Sequence, residues 1–418
     1  MTKELEIVEK IRLEDWEIFN FGEICKFVRG PFGGSLKKSI FKESGFAVYE
    51  QKHAIYDRFD NVRYFVDEEK FNEMKRFELN SGDLIMSCSG TIGKIAIVPD
   101  NIQRGIINQA LLILSPNNKV LNIFLKLWLQ SENFQDSLKK YTKGAAIKNV
   151  VSVKILKNIE IPLPPLPQQR QVVAVLDKAF TAIDIAKANA EQNLQNAKEL
   201  FESYLQNIFE NKGDDWEEKT LGEVCEINPK KSEVNKFPDN HLVSFLPMKD
   251  LGVVQRHINP NKIKQLSEVK GGYTYFRNDD VLLAKVTPCF ENGKLGIAKN
   301  LKNEIGFGSS EYIVFRSQNI ISPEYLFYIL SSNKFRNKGK ELMFGATGLK
   351  RLSKDYVQNF SAPVPTIDEQ LQLVQKLDSL ALETKKLEAI YIQKISDLEE
   401  MKKSVLQKVF SGQLNTIN

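Results

Sequence analysis

The 418-residue chain is 42% hydrophobic and 27% charged, an ordinary globular composition that excludes a disordered, collagenous or membrane-spanning protein. Its formal charge of +5, from 58 Lys and Arg against 53 Asp and Glu, is too small to announce a nucleic-acid binder, so any basic footprint must be local. At about 100–200 residues per domain, the length points to two or three domains.

The opening stretch, Met1 to Trp16, is studded with charges and has no apolar run, so a secretory signal is not expected. No segment approaches the roughly 18 consecutive apolar residues of a membrane helix, so no membrane partner is expected. Cys25, Cys88, Cys225 and Cys289 are scattered, without a C-x-x-C pair, and only three histidines (His53, His241, His257) accompany them. A metal site is therefore not expected, and this cysteine usage fits a reduced, cytoplasmic protein.

The chain is written twice. Residues 16–25 read WEIFNFGEIC and residues 216–225 read WEEKTLGEVC, so Trp16, Glu17, Gly22, Glu23 and Cys25 recur 200 positions later. Gly93-Lys94 returns as Gly293-Lys294. Further on the offset is 201: Leu125, Leu129, Ser131 and Phe134 match Leu326, Leu330, Ser332 and Phe335. Pro162, Pro164, Gln169 and Leu176 match Pro363, Pro365, Gln370 and Leu377, and Leu205, Gln206 and Phe209 match Leu406, Gln407 and Phe410. A period this long is a duplication of whole domains rather than a solenoid repeat.

Each copy begins with a mixed α+β region. In the first, short apolar runs at Asp83–Ser87, Lys94–Val98 and Ala110–Leu114 lie between Gly, Asn and Ser turns and predict strands. Their counterparts are Asp280–Ala284, Leu295–Ala298 and Glu311–Phe315, followed by a short helix around Tyr325–Leu330. After the proline-rich IPLPPLPQQ, apolar or small residues at 176, 180, 183, 190, 194, 197, 201, 204 and 208 follow the four-three spacing of a coiled-coil seam, with Lys187 in the one polar slot. The second copy opens with Thr366-Ile-Asp-Glu369, a capping box, and continues with Leu377, Ala381, Thr384, Leu387, Tyr391, Ile395, Leu398, Met401, Val405 and Val409. Each pattern predicts a helix of about 43 residues, or roughly 65 Å at 1.5 Å per residue. Equal length and repeat symmetry predict that the two pack on each other as an antiparallel spacer between similar globules.

Signatures of catalysis are absent. Gly90-Thr-Ile-Gly93-Lys94 is too short for a phosphate loop and lacks the hydroxyl residue that should follow, and no G-x-G-x-x-G opens a βαβ unit. Charge, by contrast, is concentrated. Lys139–Lys157 holds six lysines and no acidic residue, among them Lys143 and Lys148, and Lys334–Lys354 holds seven basic residues against Glu341, among them Lys350 and Arg351. Each segment carries +6 and surrounds a Gly-Ala turn, and two matched basic runs point to phosphate contacts.

Several polar loops sit on Gly and Pro turns. The first copy offers Arg29-Gly-Pro-Phe-Gly-Gly-Ser35 with Lys37 and Lys38, and then Gln51-Lys52-His53. The second offers Asn228-Pro-Lys230-Lys231 and the loop holding Lys285, Thr287, Glu291, Asn292 and Lys294. Arg and Lys suit guanine edges, Asn and Gln suit adenine, and Glu accepts from cytosine. Where the first copy has SCSGTI before its Gly-Lys, the second has AKVTPCFEN, three residues longer.

The strings IPLPPLPQQRQVVAVLD and APVPTIDEQLQLVQKLD, with the Gly-Ala turns before them and the Leu-Gln-x-x-Phe endings, resemble the DNA-specificity subunits of type I restriction-modification systems over essentially the whole length. The GPFGGS loop at residues 30–35 resembles one kind of target-recognition domain, and TPCFENGK at 287–294 with GFGSSE at 306–311, including Ser310, resembles another.

The resemblance implies target-recognition domains at 1–160 and 211–366, a hinge and spacer helix at 161–210, a second spacer helix at 367–412 and a tail at 413–418. It implies a non-catalytic reader of a bipartite, asymmetric double-stranded DNA sequence that binds no cofactor itself. Two modification (M) subunits would bring S-adenosylmethionine and methylate adenine, and restriction (R) subunits would bring ATP and Mg for translocation and cleavage. The hinge residues Pro162, Pro164, Pro165, Gln169, Pro363, Pro365 and Gln370 are the expected docking positions; Thr366 replaces the third proline of the second hinge. The alternatives are a modification-only or type II-like relative, and a coiled-coil scaffold that binds proteins.

Overall fold

The computed structural model describes residues 16–142, 152–211, 213, 215–346 and 348–411. It divides into two units, Met1–Ala190 with Gln393–Asn418, and Glu191–Ile392.

In the first unit, a four-stranded antiparallel sheet runs in the order Cys25–Arg29, Leu111–Pro116, Leu84–Ser87, Ile95–Ile97. Its central strands, Leu84–Ser87 and Leu111–Pro116, are apolar over their first three and four residues because both faces are covered there. Successive side chains of a strand point to opposite faces, and here they enter two different cores. Leu84, Met86, Leu112 and Leu114 pack with Phe124, Leu125, Trp128 and Leu129 of the helix Asn122–Gln130. Ile85, Leu111 and Ile113 pack with Ala47, Tyr49 and Ile107 of a smaller sheet ordered Tyr64–Val66, Phe46–Tyr49, Gly105–Ile107.

The second unit repeats the plan. Its main sheet runs Cys225–Ile227, Tyr312–Ser317, Val281–Ala284, Leu295–Ala298, His257–Ile258. Val281, Leu283, Ile313 and Phe315 face the helix Pro323–Ser331, while Leu282, Ala284, Tyr312 and Val314 face the opposite core. The smaller sheet holds Lys262–Gln265, Leu242–Leu246, Ile305–Gly308 and Thr274–Arg277. The predicted strands and short helix thus lie within a residue or two of the observed ones.

Both units close with a two-stranded antiparallel ribbon, Glu17–Asn20 with Glu160–Leu163 and Glu217–Thr220 with Ser361–Val364. The second strand of each runs into a long helix, Leu166–Glu210 or Ile367–Ser411, each of 45 residues. The Thr366 box is present: the Thr366 amide and hydroxyl both donate to Glu369 Oε2, at 3.0 and 2.8 Å, and the Glu369 amide donates back to Thr366 Oγ1 at 3.4 Å.

In the first unit the two helices run antiparallel. Lys187 Nζ meets Glu399 Oε1 at 2.6 Å and Lys402 Nζ meets Asp184 at 2.7 Å, so residue numbers rise on one helix as they fall on the other. The end of the second helix, through Val405, Leu406, Val409 and Phe410, packs into this unit's core, where Phe410 stacks edge-on against Phe124 at 5.5 Å. In the second unit Leu205, Ile208 and Phe209 of the first helix do the same beside Val374 and Leu377. About half of the predicted seam positions are buried and the others half-buried, except Leu387, which is 38% exposed.

Candidate nucleic-acid interface

The residues proposed to read DNA are distributed unevenly by the fold. In the second unit, Lys285, Thr287, Ser310, Lys350 and Arg351, scattered between residues 285 and 351, form one hydrogen-bonded cluster. The strand Val281–Ala284 delivers the loop at 285–294, and an antiparallel hairpin, Phe344–Ala346 with Leu349–Arg351, lies against it. Thr287 Oγ1 accepts from the Lys350 amide at 2.6 Å and donates to the Lys350 carbonyl at 3.0 Å. The Lys285 carbonyl accepts from the Leu352 amide at 2.8 Å, and Lys285 Nζ donates to the Ser310 carbonyl at 3.0 Å. The Gly-Ala turn of the second basic segment is therefore a hairpin whose base is tied to the longer loop. Gly345 has φ +130, and a Cβ there would lie 2.6 Å from the Leu349 carbonyl oxygen, so the close strand approach needs glycine.

Arg351 departs from its expected part. Its guanidinium grips Glu311, with Nε to Oε2 at 3.0 Å and Nη2 to Oε1 at 2.7 Å, and this hydrogen bond holds the Glu311 carboxyl below its usual range. A guanidinium with a bidentate carboxylate partner is engaged, so the free positive charge of the hairpin is Lys350, which is exposed. The far side of the loop is anchored by Phe290, buried at 1% against Phe335 and Gly339. Arg336 Nη2 donates to the Glu291 carbonyl at 2.9 Å, and Lys294 Nζ donates to the Met248 carbonyl at 2.7 Å. The Asn292 side chain remains exposed and that of Glu291 half-buried, while Lys294 serves the loop. Lys230 is exposed, and Lys231 reaches the Lys270 carbonyl at 3.4 Å.

In the first unit the shorter loop at 88–93 is met by a helix, Gln51–Tyr56, instead of a hairpin. The Gln51 amide donates to the Ser89 carbonyl and, at 3.0 Å, to the Thr91 carbonyl. Arg29 lies beside Cys88, whose thiol is pushed up to about 12 by burial. Lys52 is held by the Asn61 carbonyl at 2.8 Å and by Glu50 at 3.7 Å. His53 belongs to this helix rather than to a reading loop, and is buried at 1% against Tyr49. Ser35 closes a short turn on the Phe32 carbonyl at 2.9 Å, and Lys37 and Lys38 are exposed. Lys143 and Lys148 lie outside the described residues.

The hinge residues divide. Pro165 is exposed and Pro162 half-buried, but Pro164, Pro363 and Pro365 are buried. Gln169 and Gln370 are both 0% exposed, and their amides are used within the chain. Gln169 Oε1 accepts from the Leu121 amide at 2.8 Å, and Nε2 donates to the carbonyls of Lys119 at 2.9 Å and Pro164 at 2.8 Å. Gln370 repeats every bond, with Ser322, Ile320 and Pro365. Docking at these two positions is therefore unavailable to a partner, because nothing of either side chain reaches the surface. Their recurrence in sequence marked them, but not the clamp that they form.

Among the described residues, no group of three or more His, Cys, Asp and Glu is placed to hold a metal ion, and no helix is long and apolar enough to cross a membrane.

The model of the type I restriction modification DNA specificity domain matches the chain twice, at residues 13–196 and 213–396. The EcoAI type I specificity subunit of Escherichia coli is 37% identical over 168 residues, 40% of this chain and 28% of that protein. The EcoEI subunit, also from Escherichia coli, is 31% identical over 47% of this chain and 33% of its own length. The chain thus matches no more than about a third of these two relatives. The MjaVIII specificity subunit of Methanocaldococcus jannaschii is 26% identical over 97% of this chain and 94% of its own. Among solved structures, the HsdS subunit of Thermoanaerobacter tengcongensis has a TM-score of 0.60 at 20% identity, covering 96% of this chain and 97% of its own. A chain described in connection with complex assembly and conformational transition of the type I R-M system reaches 0.69 at 19% identity, covering 96% and 98%.

Proposed function

The chain belongs to the type I restriction modification DNA specificity family, and on that premise we propose that it reads a bipartite, asymmetric duplex sequence, one half-site per unit. Modification subunits dock on it and supply S-adenosylmethionine for adenine methylation, and restriction subunits add ATP-driven translocation and cleavage. The chain contributes recognition and no catalytic group or cofactor. The observation that carries this proposal is the cluster of the second unit. Residues far apart in sequence converge on one loop-and-hairpin surface, beside the exposed lysines Lys338, Lys340, Lys350 and Lys354. On this reading residues 1–160 and 211–366 serve recognition, 161–210 and 367–412 serve spacing, and 413–418 form a tail.

The test is methylation by the chain mixed with its modification partner, with methylated adenines located by long-read sequencing. One bipartite motif is expected, and methylation without site preference would refute the proposal. Duplex binding should weaken with salt by about 0.9 log units per phosphate contact for each log unit of salt. Lys350→Ala should weaken cognate and scrambled duplexes equally and lower that slope by about 1. Substitution of Glu291 or Asn292 should instead change the preferred bases, and equal effects on both duplexes would remove them from the reading surface. A scaffold that binds only proteins would show no salt-dependent association with DNA.

A further inference from the structure

The hairpin Phe344–Ala346 with Leu349–Arg351 exposes more apolar surface than a monomer loop needs. Phe344 is 63% exposed and Leu349 50%, although the neighbouring Met343 and Leu352 are buried. The register pairs Phe344 with Arg351, Gly345 with Lys350 and Ala346 with Leu349. Partners directly opposite in an antiparallel pair point to the same side, and alternate residues point to opposite sides. Phe344, Ala346 and Leu349 therefore share one face, with Arg351 at its base held by Glu311, and Lys350 lies on the other. The result is a two-stranded ribbon with an apolar face, tied at its base to the candidate reading loop and flanked in sequence by exposed Lys340 and Lys354.

Basic flanks match the charge of a phosphate backbone, and a two-stranded ribbon is of a size that the major groove of B-form DNA admits. In that groove the apolar feature of a base pair is the thymine C5-methyl group, which aromatic and aliphatic side chains contact. We infer that this ribbon enters the major groove of one half-site and that Phe344 and Leu349 read thymine methyl groups there. The inference rests on the proposed DNA-reading function. It assigns to apolar contact a share of the specificity that polar loop residues alone would otherwise carry. Fixing the ribbon at its base through Thr287 and Glu311 sets which base pair the apolar face meets.

The experiment uses the full chain and, in turn, duplexes in which each thymine of the mapped target is replaced by uracil, which keeps its pairing edge and lacks only the methyl. For the unaltered chain, uracil at one or two positions of a single half-site should weaken binding about fourfold, the worth of one buried methyl group. With Phe344→Ala or Leu349→Ala, the same replacement should have no further effect, while thymines of the other half-site behave as before. Both side chains are exposed, so thermal unfolding of either variant should match that of the parent. Additive losses at every thymine would overturn the inference, as would Phe344-dependent unstacking of a 2-aminopurine probe, which would mean intercalation. If the unaltered chain shows no salt-dependent binding to any duplex, it is the proposed function that fails.

Discussion

Replacing Arg316 with methionine is expected to destabilise the second unit by about 3–5 kcal/mol, the range seen when one partner leaves a buried ion pair. Arg316 is 7% exposed and Asp280 is 1% exposed. The guanidinium contacts both Asp280 oxygens, at 2.9 and 2.8 Å, and both Glu233 oxygens, at 2.8 and 2.9 Å. Tyr275 lies under the guanidinium, 5.5 Å from ring centroid to carbon, and donates its hydroxyl to Glu233 at 3.0 Å. Burial already pushes the Asp280 carboxyl up, and the hydrogen bonds and charge of Arg316 oppose that push. Methionine fills similar space but leaves Asp280 charged without its buried cation, the Arg277 amide still donating to it. The folded state of the variant therefore prefers the protonated carboxyl. An acid whose folded pKa exceeds its unfolded one costs stability as pH rises through that range, so the variant should lose least against the parent at acid pH and most at neutral pH. Urea unfolding from roughly pH 3.5 to 8 checks this, starting below the ordinary aspartate value of about 3.9, and a gap that widened toward acid would refute it. Adding Asp280→Asn to the methionine variant should recover part of the loss, because the stranded charge is then gone.

This network also shows what the sequence could and could not carry. Asp83 and Asp280 recur before equivalent strands, and each accepts an amide three residues back, from Asn80 at 2.9 Å and from Arg277 at 2.8 Å. That local turn is repeated in sequence and was legible with the strands, because hydrophobic period and turn chemistry act over a few residues. The strand registers place Ser115 where the second unit has Arg316, so only one copy has the charged network. The partner Glu233 is 83 residues away, and neither spacing nor composition joins it to Arg316. The Arg351–Glu311 pair was hidden for the same reason, and Arg351 therefore read as a free phosphate contact. Helix lengths were legible to within a few residues, whereas exposed Leu387 shows that a four-three spacing counts positions without knowing which of them a neighbour covers. The clamp lay between these extremes, since Gln169 and Gln370 were visible as matched positions whose bonding partners only the fold supplies.

Changing either clamp glutamine to alanine should destabilise its own unit by about 3 kcal/mol, the upper range for leaving buried backbone groups without a partner. The Leu121 amide and the carbonyls of Lys119 and Pro164 all lose their bonds in Gln169→Ala, as do the Ser322 amide and the carbonyls of Ile320 and Pro365 in Gln370→Ala. These bonds tie the first turn of each long helix to the segment leading into a core helix, Asn122–Gln130 or Pro323–Ser331. Gln169→Glu separates hydrogen bonding from packing, since it keeps the shape and the acceptor for Leu121 but turns a carboxylate oxygen toward two carbonyls. At neutral pH it should be less stable than the alanine variant, because a buried charge with only the Leu121 amide as donor and two carbonyls against it costs more than an empty space. Protonation restores one donor, so its folded pKa lies above the unfolded one and stability returns as pH falls. Thermal melts of the three proteins at pH 5 and pH 8 decide the matter, the glutamate variant being expected to gain on the parent at the lower pH. A glutamate variant as stable as the parent at pH 8 would mean that the carbonyls of Lys119 and Pro164 do not depend on Gln169 for their hydrogen bonds.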